Sequence, residues 1–210
     1  MKNSNNKQKV IGLLSIKSMV IMAMLGATAV LLMLFDIPLW FAPPFYKIDF
    51  SEVPVLIGAF TLGPIAGIII ELIKILLNLV INGTDTAAVG ELANFLIGCS
   101  FVVPAAIVYY KNKTLKSAIK GLILGTVCMV VLGAFMNAFV LLPVFSYFFK
   151  MPIEALVGMG TKVNPAIDSL STLVFYAVIP FNILKGVLAS LLTLLVYKRI
   201  SGLIKNIVGA

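Results

Sequence analysis

Long apolar runs broken by short polar ones set the pattern of this chain. Residues 18–35, 92–110 and 121–149 contain no charged side chain at all, and each reaches the ~18 residues that a helix needs to cross the hydrocarbon layer. Period-two alternation is absent, which excludes an outer-membrane barrel. The stretch KIDFSEVPVLIGAFTLGPIAG (residues 47–67) is read as the mouth of a site. Three charges and Ser51 end abruptly in an apolar run, which Gly63-Pro64 then breaks. Ser51 as N-cap with Pro54 in the first turn predicts a helix beginning where the polar residues stop.

Whether residues 53–81 form one helix or two is decided by topology, since hydropathy alone does not decide it. One helix would leave Lys111, Lys113, Lys116 and Lys120 outside, whereas two crossings put Asp36, Asp49, Glu52, Asp85, Glu91, Glu154 and Asp168 outside and the lysines within. Two crossings bring those lysines to the side of Lys2, Lys7, Lys9 and Lys17, as the positive-inside rule requires. The expectation is therefore an all-α membrane protein of six transmembrane helices forming a single domain, with both termini cytoplasmic. The predicted spans are about 18–35, 52–62, 65–82, 91–110, 118–142 and 169–197. The second is short and must tilt or be extended by its polar start.

Composition agrees. The chain has 210 residues, 61% hydrophobic and 11% charged, with a mean hydropathy of +1.12, so it is predicted to lie in a lipid bilayer as a multi-pass cell-membrane protein. The net charge of +8 orients the chain rather than marking a nucleic-acid binder. The amino terminus lacks the pattern of a removable signal peptide.

The chemistry is narrow. With no histidine, rhomboid-like and zinc-dependent membrane hydrolases are excluded. Cys99 and Cys128 fall inside predicted spans as packing residues, so no metal or disulfide site is expected. The aspartates lie at or beyond the outer edge in this topology, which removes an intramembrane aspartyl enzyme. No GxxxxGK[ST] run is present, so ATP would have to be used by another subunit.

What remains is a set of amides and one deep cation. Asn94 enters the apolar layer early in the fourth span, and Asn137 lies near the outer end of the fifth. Pro180, Asn182 and Lys185 fall in the middle of the last, where Asn182 and Lys185 share a helical face. A lysine at that depth costs about 2.5–3.5 kcal/mol even on the gentler insertion scale, which makes it a functional candidate. Glu71 and Lys74, three apart, read as a structural ion pair. Trp40, Phe41, Phe45 and Tyr46, in the proline-rich loop 36–46, fit a stack over a flat aromatic ligand and equally an interfacial aromatic belt. Ala23 and Ala27 form a small-residue stripe on the first span. The connection 143–168 reads as an outer cover.

KIDFSEVPVLIGAFTLGPIAGIIIELIK, then GELANFLIG, then PFNILKG, resemble in order and over most of the chain the riboflavin-specific substrate-binding subunits (S components) of energy-coupling factor (ECF) transporters. The resemblance implies the ECF S-component fold and a high-affinity riboflavin binder with no enzymatic activity or cofactor. It implies partnership with a transmembrane coupling subunit and two cytoplasmic ATPases. It assigns flavin contact to Asn137, Asn182 and Lys185, with Asn94 in the corresponding fourth-span segment and Trp40, Tyr46 and Lys47 matching loosely. Ala23 and Ala27 would face the coupling subunit. A binding subunit for another vitamin and a stand-alone secondary carrier are the alternatives.

Overall fold

The computed structural model describes residues 15–84 and 86–208. Lys2, Lys7, Lys9 and Asp85 of the topology argument lie outside them. Helix α1 spans Ile16–Met33, its Ser15 hydroxyl accepting the Ser18 N–H at 3.3 Å. The loop beyond it pairs β1 (Ile37–Pro38) antiparallel with β2 (Lys47–Ile48), Ile37 opposite Ile48. The all-α expectation misses this ribbon, which is two residues per strand because Pro38 has no N–H to extend a ladder.

Helix α2, Glu52–Leu62, has every residue from Glu52 to Thr61 buried. A helix apolar on all sides belongs in the middle of a bundle, and α2 packs against its neighbours on both sides in sequence and against the last helix. Its 11 residues rise only ~16 Å. Gly63, at φ 118°, provides the break that an L side chain would resist, and Pro64 opens α3 (Pro64–Asn82). Then follow α4 (Val89–Lys111) and α5 (Leu115–Met136).

The fifth predicted span stops too early. From α5 the helical path continues through a π segment, Asn137–Leu141, into α6, Leu142–Phe148. The connection 143–168 is partly helical, with α7 at Ile153–Thr161. The last span begins as α8 (Leu170–Leu173), passes through a second π segment (Val174–Val178) and becomes α9 (Ile179–Val208). Each π segment ends two residues before a proline, Pro143 or Pro180. A proline has no N–H to give and crowds the carbonyl four residues back. The widened turn takes up that mismatch, Leu142 N–H donating to Asn137 O and Ile179 N–H to Val174 O.

Two apolar clusters result. The larger, including Leu56, Phe60, Ile70, Phe101 and Leu122, fills the bundle. The second joins Ala42 and Tyr46 of the first loop to Leu156, Val157 and Ile167 of the connection and to Leu173 and Val178. The connection therefore covers the loop end of the bundle. Among the described residues five helical stretches are long and apolar enough to cross a membrane (Ile16–Met33, Pro64–Asn82, Val89–Lys111, Leu115–Phe148 and Leu170–Tyr197), with Glu52–Leu62 as a shorter apolar helix. Met24, Val127, Val131 and Leu195 are exposed on the outside of the bundle, as a lipid-facing surface requires.

Candidate functional site

Between the 34–51 loop and the bundle lies a cavity of about 390 Å³. A second hollow, about 470 Å³ between α5 and α9, is lined mainly by Ile, Leu and Val, with the hydroxyls of Thr126 and Ser190 as its polar groups. The first has the convergent polar groups that a ligand site needs. Its wall carries Asn94, Asn137, Asn182 and Lys185, its mouth Lys47, and its cover Phe45, Tyr46, Phe145 and Phe181. Three elements distant in sequence, α4, the first π segment and α9, thus bring the deep amides and the deep lysine together.

Both asparagines of the last two spans are held from behind. Asn137 Nδ2 donates to Gly133 O at 2.8 Å, and Asn182 Nδ2 to Val178 O at 2.9 Å. Each amide keeps a second N–H and carbonyl lone pairs, the mixed donor and acceptor edge that an imide-like ring edge would complement. Tyr46 Oη donates to Asn137 Oδ1 at 2.7 Å, and burial pushes the Tyr46 phenol well above its usual range, so it remains a donor. A Cβ on Gly133 would stand 2.9 Å from Asn182 Nδ2; the glycine is what lets that amide sit where it does. Asn94 projects into the cavity with its amide unpaired among the described residues.

The charges form a buried cluster. Lys185 Nζ lies 3.1 Å from Asp49 Oδ2, whose other oxygen accepts the Ser51 N–H at 2.8 Å. Burial alone would raise the Asp49 carboxyl, but the ammonium groups of Lys185 and Lys74 and the Ser51 hydrogen bond hold it down at about 2. Lys74 Nζ sits 2.9 Å from Glu52 Oε1 and 2.7 Å from Glu71 Oε1, all three side chains essentially inaccessible. Glu52 Oε2 and Glu71 Oε2 have no partner among the described residues. The close approach of α4 at Gly98, where a Cβ would stand 2.7 Å from Glu71 Cδ, seals the cluster from that side.

These positions correct several expectations. Lys185 is not left for a ligand to satisfy, because Asp49 pairs with it. Asp49 and Glu52, assigned to the outer surface with the other acids, are buried, drawn in because two lysines in an apolar interior require carboxylates. Ser51 occupies the predicted cap position but its hydroxyl caps nothing; it lies 3.4 Å from Lys74 Nζ. Trp40 is 88% exposed and stands edge-on to Phe41, outside the cavity lining. The aromatic cover is instead Phe45, Tyr46, Phe145 and Phe181, with the Tyr46 and Phe181 rings 5.3 Å apart. Lys47 reaches the mouth but is bound to Asp36 at 2.9 Å, both about half exposed. The Glu71–Lys74 pair is present as expected, with Glu52 as an unforeseen third member. Ala23 and Ala27 are exposed on α1.

A bundle of apolar helices long enough to cross a membrane, enclosing an amide-lined cavity, defines a membrane-embedded solute-binding protein. The family model for the substrate-specific component of ECF transporters matches residues 17–197, and the chain belongs to that family. It is 37% identical over 191 residues to the riboflavin transporter RibU of Staphylococcus aureus, covering 91% of this chain and 94% of that one. It is 33% identical over 189 residues to the riboflavin transporter FmnP of Bacillus subtilis, covering 89% and 93%. A solved structure of the S component of a bacterial ECF transporter superposes with a TM-score of 0.68 at 37% identity, covering 89% of this chain and 96% of the other.

Proposed function

We propose that the chain captures riboflavin in the cavity beneath the 34–51 loop and delivers it as the substrate-binding subunit of an ECF importer in the cell membrane. In this reading it crosses the membrane six times with both termini in the cytoplasm. The observation that carries it is the convergence of Asn137, Asn182 and Lys185 on one cavity in a chain that belongs to the S-component family. Amide edges at Asn137 and Asn182 match the alternating carbonyls and N–H of the isoalloxazine pyrimidine ring, Lys185 gives a charged donor, and Tyr46, Phe145 and Phe181 cover the tricycle. Asn94 and Lys47 meet the ligand from α4 and the mouth.

No bond is made or broken in this function; the work of transport falls to a coupling subunit and two ATPases, which the chain meets through the exposed face of α1 bearing Ala23 and Ala27. Titrating purified protein into riboflavin and following flavin fluorescence tests the reading. Saturable quenching is expected in the wild type, weakened tenfold or more in Asn182→Ala. Absence of quenching rejects riboflavin as the cargo.

A further inference from the structure

Riboflavin carries no formal negative charge, so it cannot neutralise a buried ammonium. A lysine at this depth needs a permanent counter-charge, and Asp49 holds that place. Asp49 lies between β2 and α2, and its two oxygens are divided: Oδ1 takes the Ser51 N–H at 2.8 Å and Oδ2 meets Lys185 Nζ at 3.1 Å. The first bond fixes the carboxylate plane relative to the start of α2. The second then fixes where the Lys185 ammonium stands. Behind this pair, Lys74 is committed to Glu52 and Glu71 and braces Ser51 through its hydroxyl, so the turn carrying Asp49 is anchored in the core and not only in the loop.

We propose that Asp49 is a positioning residue for ligand binding: it holds the Lys185 ammonium at the cavity wall, ready to donate, and acts on the ligand through Lys185. The inference rests on the riboflavin reading. It makes the pair a unit, so that a neutral residue at 185 leaves Asp49 with no further contribution to binding.

The test is a double-mutant cycle on the full chain in lipid nanodiscs, read as riboflavin affinity by fluorescence quenching and as thermal unfolding midpoint. Lys185→Met and Asp49→Asn are each expected to weaken binding tenfold or more, and the double variant Asp49→Asn/Lys185→Met to bind within about threefold of Lys185→Met alone. Should Asp49→Asn fail to fold, the double variant, in which no lone ammonium remains, is expected to fold. Wild-type affinity in Asp49→Asn overturns the proposal. So does a double variant that binds tenfold worse than Lys185→Met, or that fails to fold where Lys185→Met folds, because Asp49 then acts independently. A wild-type chain that quenches no flavin defeats the riboflavin reading itself, whereas the stability arm of the cycle still decides whether the pair behaves as a unit.

Discussion

Tyr46 and Asn137 are 91 positions apart, and the phenol of one donates to the amide of the other at 2.7 Å. The bond fastens the first loop to the π segment of the fifth helical path, across the cavity. Tyr46→Phe keeps the ring against Phe181 and removes only that donor. A neutral hydrogen bond of this kind is worth about 0.5–1.5 kcal/mol net, so riboflavin affinity should fall ~2–10-fold, with the loss in the dissociation rate measured by stopped-flow fluorescence. An unchanged off-rate would show that the loop is held by its apolar contacts alone.

Gly133→Ala tests the amide geometry without touching an amide. Its new Cβ would stand 2.9 Å from Asn182 Nδ2, tighter than van der Waals contact allows, so Asn182 must move. Riboflavin affinity should drop about tenfold, since a small misplacement costs much of a hydrogen bond, while the unfolding midpoint shifts little. Calorimetry on both quantities separates the two effects.

Within the triad, Lys74→Met leaves Glu52 and Glu71 facing one another in a dry interior without a counter-ion. Breaking a buried ionic group in this way costs about 3–5 kcal/mol, whereas removing all its members is often neutral. Lys74→Met should therefore express poorly or melt far below wild type. The triple variant Glu52→Gln/Glu71→Gln/Lys74→Met should recover most of the loss in a thermal-shift assay in detergent, and a triple variant as unstable as the single one would contradict the charge-balance argument.

The same cluster marks how far the sequence could be read. Glu71 and Lys74 sit three residues apart, where helical geometry alone makes them neighbours. Glu52 joins Lys74 across 22 positions and Asp49 joins Lys185 across 136, separations that no local rule connects. The positive-inside bookkeeping sent Asp49 and Glu52 outward with the other acids because it scores position along the chain, not the fold of a re-entering loop. The unbalanced Lys185 was the available signal: a carboxylate had to be found for it. Asn94, Asn137 and Asn182 were legible because an amide in an apolar run stands out. Trp40 stayed open between two readings because an aromatic in a proline-rich loop has the same composition whether it covers a ligand or faces the bilayer surface. Gly63-Pro64 was a local signal that topology had to decide, and the break expected between residues 62 and 65 lies between Leu62 and Pro64.

The Asp49 carboxyl links this architecture to acid stability. Its value is lowered from 3.8 to about 2, burial opposing and the Lys185 and Lys74 ammonium groups prevailing. For a carboxyl depressed on folding, the stabilisation is complete above its unfolded value and disappears as the pH falls through its folded one. The window is therefore about pH 4 down to 2, and the contribution about 2 kcal/mol. Across pH 5–8 this group does not titrate. Unfolding midpoints measured from pH 6 to pH 3 should fall in the wild type as the window opens, and the fall should be shallower in Asp49→Asn/Lys185→Met, where the pair is absent. Equal slopes would show that Asp49 is not the group responsible.

Ala23 and Ala27, proposed to face the coupling subunit, lie outside the cavity lining, so docking and binding should separate in mutants. Ala23 and Ala27 are exposed on α1, whose opposite side is pinned to α3 by the fit of Gly26 against Ile73, a Cβ at Gly26 lying 2.9 Å from Ile73 Cβ. Close approach of a partner helix depends on small side chains at the contact, and a bulky side chain there would hold it away without reaching the cavity. Ala23→Leu/Ala27→Leu should bind riboflavin with wild-type affinity in quenching titrations. In vesicles reconstituted with a coupling subunit and two ATPases, ATP-driven uptake of labelled riboflavin should fall at least tenfold. Wild-type uptake would remove this face of α1 from the docking surface while leaving the cavity assignment intact; lost binding would show that the face is coupled to the cavity through α3.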